Sequence, residues 1–199
     1  MEGLKNPAKN MPEEQAAVMT VHMAPGWQPG WLNDQLIDAY LSLMEEQKKK
    51  MKKTVITGTC HTFNSIKKTG KWRSKVNLSK YSKVLIPGQF DATNHWQLCV
   101  VDLDEGTIAL VDPMSLETDM DSVVFNEMRE FLEKREGNKS KVEWRQKWIA
   151  HPLQIDCISC GVFILKIAEC LAWDMAISST KVSQHWDAKL LFAMLKTPK

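Results

Sequence analysis

Apolar residues recur along this chain with two different periods. Between residues 34 and 47, Leu36, Ile37, Tyr40, Leu41 and Met44 fall three and four apart, which predicts an amphipathic helix capped by Asn33 or Asp34. Lysines follow its last turn, where they suit the negative end of the helix dipole. Within residues 76 to 87, "KVLIP" reads as a short strand ended by the turn pair Pro87-Gly88. In "HWQLCVVDLDEGTIALVDP" two β-branched, apolar runs flank Asp104-Glu105-Gly106, which is a hairpin signal. Helical spacing returns over residues 119 to 135 through Met120, Val124, Met128, Phe131 and Leu132, and "KVEWRQKWIA" reads as a further strand. From Gly161 to Trp173 the chain is apolar on nearly every side apart from Lys166 and Glu169, the pattern of a helix buried in a core. Asp187 can cap a closing helix, "AKLLFAMLK". Irregular alternation with at least one antiparallel hairpin predicts an α+β fold rather than a doubly wound parallel sheet.

Composition adds limits to this picture. With 199 residues, 44% hydrophobic and 25% charged, the chain is expected to form one domain over residues 21 to 199 behind a polar, flexible lead over residues 1 to 20. No apolar run approaches the ~20 residues needed to cross a bilayer, and the first residues lack a signal-like apolar region. Five cysteines in an odd count without framework spacing argue for free thiols in a reducing compartment. The expectation is a soluble, intracellular protein. A net charge of +2 is too small to imply nucleic-acid binding. The cations cluster in "KKKMKK" (48 to 53) and "KKTGKWRSK" (67 to 75), which read as solvated faces. The functional alternatives are a nuclear-import signal for the first run and an acidic-partner surface for either.

The hairpin carries the first candidate chemistry. If its turn centres between residues 103 and 104, His95 before the first strand and Asp112 after the second lie side by side at its open end, within a residue or two of register. A carboxylate beside an imidazole fixes its tautomer and favours its cation, as a general base requires. Taken singly, each is an ordinary loop residue. Cys160 precedes Gly161 at the start of the buried helix, where unpaired N–H groups and the helix dipole lower a thiol pKa and attract an oxyanion. Gln154, six residues earlier, is either an oxyanion donor acting with the Cys160 N–H or an exposed loop amide.

Cys157 and Cys160 also form a Cys-x-x-Cys pair. A zinc site needs a second pair at ligand spacing, which the chain lacks, and Pro152 and Gln154 do not suit a thioredoxin-like context. Under oxidation a reversible disulfide between the two would shield the nucleophile.

In "GWLND" (30 to 34), "TFNS" (62 to 65), "HW" at His95-Trp96, Asp112, Gln154 and "CGVF" (160 to 163), in that order, the chain resembles the SUMO (sentrin) proteases from about residue 20 to 198. The resemblance implies an α+β cysteine protease fold with the papain-like residue order permuted. A central mixed or antiparallel sheet would be flanked by helices, with the nucleophile at the N-terminus of a buried helix. By position it implies His95 as base, Asp112 as its orienter, Cys160 as nucleophile and Gln154 as oxyanion donor. It further implies that Trp31 and Trp96 line a tunnel admitting only a Gly-Gly tail, with Asp34 and Gly161 also contacting the modifier; core packing is the alternative for both tryptophans, and helix capping for Asp34. The implied activity is cleavage after the C-terminal Gly-Gly of SUMO or a related ubiquitin-like protein by a monomer in the nucleus or cytoplasm, with no metal or cofactor, no membrane and no nucleic acid. The rivals are an acyltransferase on a related scaffold and a non-catalytic modifier-binding module. Three positions depart from the family pattern: Ser159 stands where an Asp or Asn usually precedes the nucleophile, with Asp156 displaced by three; Pro113 replaces a common serine; and Cys157 replaces a small or polar residue.

Overall fold

The computed structural model describes residues 32–49, 54–90, 94–115, 122–136 and 142–177. The N-terminal lead, Trp31, Met120, most of the first basic run and the helix after Asp187 lie outside them. Helices α1 (Asp34–Lys48), α2 (Thr62–Thr69), α3 (Ser122–Glu136) and α4 (Cys160–Ala172) flank one five-stranded sheet. Its strands are β1 (Val55–Thr57), β2 (Lys83–Gly88), β3 (Gln97–Asp102), β4 (Thr107–Val111) and β5 (Arg145–Gln146), in that spatial order. The outer pairs β1–β2 and β4–β5 are parallel, and the inner pairs are antiparallel, so the sheet is mixed.

Both faces are covered. Leu85, Leu98, Val100, Ala109 and Val111 pack under α1 and α4, against Ile37, Leu41, Met44, Ile164, Leu165 and Ala168. Val84, Ile86, Cys99, Val101, Ile108 and Leu110 meet Phe63 and Ile66 of α2 and Val124, Met128 and Leu132 of α3. A strand buried on both sides needs apolar residues at every position, which accounts for the unbroken runs in β3 and β4.

Several local details differ from the pattern expectation. Asn33, not Asp34, caps α1, its Oδ1 accepting from Leu36 N at 2.8 Å. Pro87-Gly88 is no turn: Pro87 pairs with Leu98 and Gly88 with Gln97 inside β2. Leu85 O accepts from Gly58 N, so alternate residues direct their backbone toward β1, which ends at Thr57. The N–H that proline lacks therefore falls where no strand needs it. The hairpin turn spans residues 103 to 106, since Asp102 pairs with Thr107. Asp102 Oδ1 closes it by accepting from Asp104 N and Glu105 N, and Gly106 takes the left-handed conformation at φ 66°. The expected strand over 141 to 150 shrinks to Arg145–Gln146, because its side chains are exposed and polar and only Trp144 beside it is buried. Lys48 is not solvated: it is 4% exposed and stacks over Trp173 at 5.4 Å. Lys67, Lys68, Lys71 and Lys75 of the second run are exposed.

Glu45 links α1 to β1 from within the core. Its carboxylate accepts from Thr57 N at 2.8 Å and Thr57 Oγ1 at 2.9 Å, and Arg73 pairs with it at 2.9 Å. Glu45→Ala strands a buried backbone N–H, so it is expected to cost about 1–3 kcal/mol, read as a lower denaturant midpoint at unchanged slope.

Candidate active site

The hairpin register sets the geometry. Because Leu98 faces Val111, one further step places Gln97 opposite Asp112 and leaves His95 on the diagonal. Diagonal neighbours remain within reach of a long side chain. His95 Nε2 lies 2.7 Å from Asp112 Oδ1, Gln97 Nε2 donates to Asp112 Oδ2 at 2.9 Å, and Met114 N donates to Oδ1 at 2.8 Å. Cys160, the first residue of α4, is close enough to His95 to favour its charged form. Thiol, imidazole and carboxylate thus form one connected set contributed by three segments.

The set is closed to bulk water: Cys160 is 2% exposed and His95 8%. Burial of His95 works against its charged form, yet its neighbours Asp112 and Cys160 outweigh that and carry its pKa up to about 9. Burial likewise opposes ionisation of Asp112, and the donors His95, Met114 N and Gln97 together hold its carboxyl below the usual range. Burial pushes Cys99 up to about 12 and also raises Cys60, which makes both poor nucleophiles.

Gln154 is buried, not an exposed loop amide. Its N–H donates to Pro113 O at 2.8 Å, which fastens the loop before Cys160 to the end of β4. Its side-chain Nε2 donates to Asp156 O at 2.8 Å, and its Oε1 is buried without a partner. Asp156 in turn holds the approach to α4: Oδ1 accepts from Ile158 N and Ser159 N, and Oδ2 accepts from Ser159 Oγ at 2.7 Å. Cys157 is exposed on this turn, and all five cysteines are free thiols.

Trp96 is buried in the core under α1 and α4, with Nε1 donating to Leu32 O at 2.9 Å. Leu32 also rests on Gly161, where a Cβ would lie 2.9 Å from the Leu32 Cβ. Glycine at 161 thus serves close packing at the mouth of the site. Asp34 lies beside His61 at 3.5 Å. Pattern reading missed Gln97, His151 and Leu32. His151, 8% exposed, has ring nitrogens 2.6 Å from Ile149 O and 2.8 Å from Asp112 O. A lone amide opening an otherwise apolar strand, two residues after His95, was the available signal for Gln97. Among the described residues no group of three or more His, Cys, Asp or Glu is arranged to hold a metal ion, and no helix is long and apolar enough to cross a membrane.

A thiol at a helix start, an imidazole before one strand and a carboxylate after the next, on a mixed sheet, define a thiol–imidazole–carboxylate site on an α+β scaffold. Residues 30–192 match the Ulp1 protease family, C-terminal catalytic domain, and the chain belongs to that family. It is 28% identical over 157 residues to Sentrin-specific protease 5 of Homo sapiens, covering 71% of this chain and 19% of that protein. It is 27% identical over 162 residues to Sentrin-specific protease 2 of Mus musculus, covering 76% and 27%. The chain therefore spans about a fifth to a quarter of the length of these relatives. Its fold is similar to that of SUMO protease Ulp1 with its catalytic cysteine oxidised to a sulfonic acid (TM-score 0.67, 18% identity, 89% of this chain and 78% of that one). It is also similar to the Ulp1 protease domain in complex with Smt3, the yeast ortholog of SUMO (TM-score 0.65, 19% identity, 77% and 70%).

The shifted pKa values carry a pH signature. A raised His95 contributes stability that is complete below its ordinary 6.5 and is lost as pH rises through about 9. A lowered Asp112 contributes stability that is complete above its ordinary 3.8 and is lost as pH falls through its folded value. The stability gap between wild type and Asp112→Asn, from denaturant midpoints, should thus be widest between those two ordinary values and narrow toward pH 9.

Proposed function

We infer that this chain is a cysteine peptidase that cleaves after the C-terminal Gly-Gly of a ubiquitin-like modifier, SUMO first among them, releasing it from lysine conjugates or from a precursor. The observation that carries this reading is His95 hydrogen-bonded to Asp112, with Cys160 close enough to favour the charged imidazole, on the scaffold of the Ulp1 family. The neighbour solved with Smt3 and the sentrin-specific relatives support SUMO as the modifier. The depth of the thiol supports a slender substrate, as a Gly-Gly tail has no side chain to clash with its cover. The catalytic domain on this reading runs over residues 21 to 199. It acts as a monomer inside the cell, in the nucleus or cytoplasm.

In the mechanism, His95 takes the proton of Cys160 and Asp112 stabilises the imidazolium. The thiolate attacks the carbonyl carbon of the last glycine. The Cys160 N–H and the Gln154 amide, turned from Asp156 O, receive the oxyanion. Collapse breaks the C–N bond, and His95 protonates the departing amine. His95 then accepts a proton from water, whose oxygen displaces the thiolate from the thioester and leaves a free carboxylate.

The test is incubation with SUMO, ubiquitin and neddylation-modifier probes that bear a C-terminal electrophile. The expected outcome is an adduct of the SUMO probe at Cys160, absent in Cys160→Ala; labelling at Cys157, or of no cysteine, would sink the reading. On a SUMO substrate, Gln154→Ala is expected to lower kcat about a hundredfold or more, the scale of losing one oxyanion donor, with KM changed far less.

A further inference from the structure

Gln97 opens β3 in the position that the register sets against Asp112. It is 5% exposed, its Nε2 lies 2.9 Å from Asp112 Oδ2, and its Oε1 is buried with no hydrogen-bond partner. An ionised carboxylate only accepts, so the amide nitrogen, not the oxygen, must face it. That orientation strands the amide oxygen, an outcome that a methionine of similar length would avoid. Packing therefore gives no reason for an amide here, whereas Asp112 does. His95 and Met114 N both engage Oδ1. A carboxylate held through one oxygen swings readily about its soft terminal torsion. A donor on Oδ2 stops that swing.

We propose that Gln97 is a positioning residue for the catalytic set: by holding Asp112 Oδ2 it keeps Oδ1 in line with His95 Nε2, and through His95 it maintains the reactive state of Cys160. The inference deepens the proposed function and rests on it for the identity of the reaction, but not for the behaviour of the thiol.

The experiment compares the full chain with Gln97→Met and Gln97→Glu across pH, by two readouts. One is hydrolysis of a fluorogenic amide at the SUMO C-terminus; the other is alkylation of Cys160 by iodoacetamide, located by mass spectrometry, which needs no modifier. Gln97→Met should lower kcat about tenfold with KM within about twofold, and should move the acid limb of Cys160 alkylation to higher pH, because a donor that keeps Asp112 ionised is gone. In Gln97→Glu a protonated carboxyl donates to Asp112 as the amide did, whereas an ionised one repels it. Its rate relative to wild type should therefore approach one at acid pH and fall as pH rises. Should Gln97→Met fail to fold, the pH trend of Gln97→Glu decides the matter. Wild-type rates and profiles in the variants would overturn the proposal, as would a loss of equal size at every pH that follows a lowered Tm. If wild type leaves SUMO untouched while alkylation shows the expected shifts, the substrate reading falls and the role of Gln97 stands.

Discussion

A carboxylate withdrawn from water has to be matched by donors, and Asp112 is the group on which this site depends. Three reach it: the ring of His95, the amide of Gln97 and the backbone of Met114. Burial alone would push Asp112 toward its neutral form and His95 toward neutrality as well. Because each is placed to satisfy the other, the opposite occurs, and the pair stays charged although little of it meets solvent. The carbonyl of Asp112 also lies 2.8 Å from Nε2 of His151, within donating reach of that ring. The residue is thus fixed through both its side chain and its main chain.

The thiol must then be delivered to that pair from a separate element, and α4 does so by having almost no polar surface to offer to solvent. Ile164, Leu165, Ile167 and Ala168 are essentially unexposed between α1 and the sheet, which fixes the height and rotation of the helix and hence of Cys160 at its first position. Gly161 lets Leu32 approach within a distance that any Cβ would forbid, and the carbonyl of Leu32 accepts from Trp96, the residue next to His95. Core packing and site closure are one arrangement here, so the reading of Trp96 as a core residue and the reading of it as a wall of the site do not compete.

Much of this was legible from the chain because long apolar periods survive small errors. Helices α1, α3 and α4 follow directly from their spacing, since many buried positions must agree before such a pattern arises. The His95–Asp112 contact was legible for a different reason: a hairpin displaced by one residue in its turn still leaves the two within diagonal reach. Gln97 was not, because naming the residue directly opposite Asp112 requires the turn to be known exactly as Asp102 and Gly106 shape it. Nor were β1 and α2, which are three and eight residues long with few apolar positions to repeat. Sheet order depends on the parallel partners β1 and β5, whose pairing is encoded by packing between distant segments and by no local pattern.

The departure at Ser159 gains a physical meaning from the turn before α4. Where the family pattern has an acid or amide directly before the nucleophile, this chain has a serine whose hydroxyl donates to Asp156, so a carboxylate three residues upstream reaches that position. Its other oxygen takes the N–H groups of Ile158 and Ser159, in the turn that leads to the Cys160 N–H assigned to the oxyanion in the proposed mechanism. The main chain of Asp156 meanwhile accepts the amide of Gln154, the other assigned donor. One residue therefore shapes the turn that presents the first donor and parks the second. The acid stands three residues earlier in the sequence and still brings its charge to the entrance of α4, so Ser159 leaves the proposed mechanism with an acid at that place.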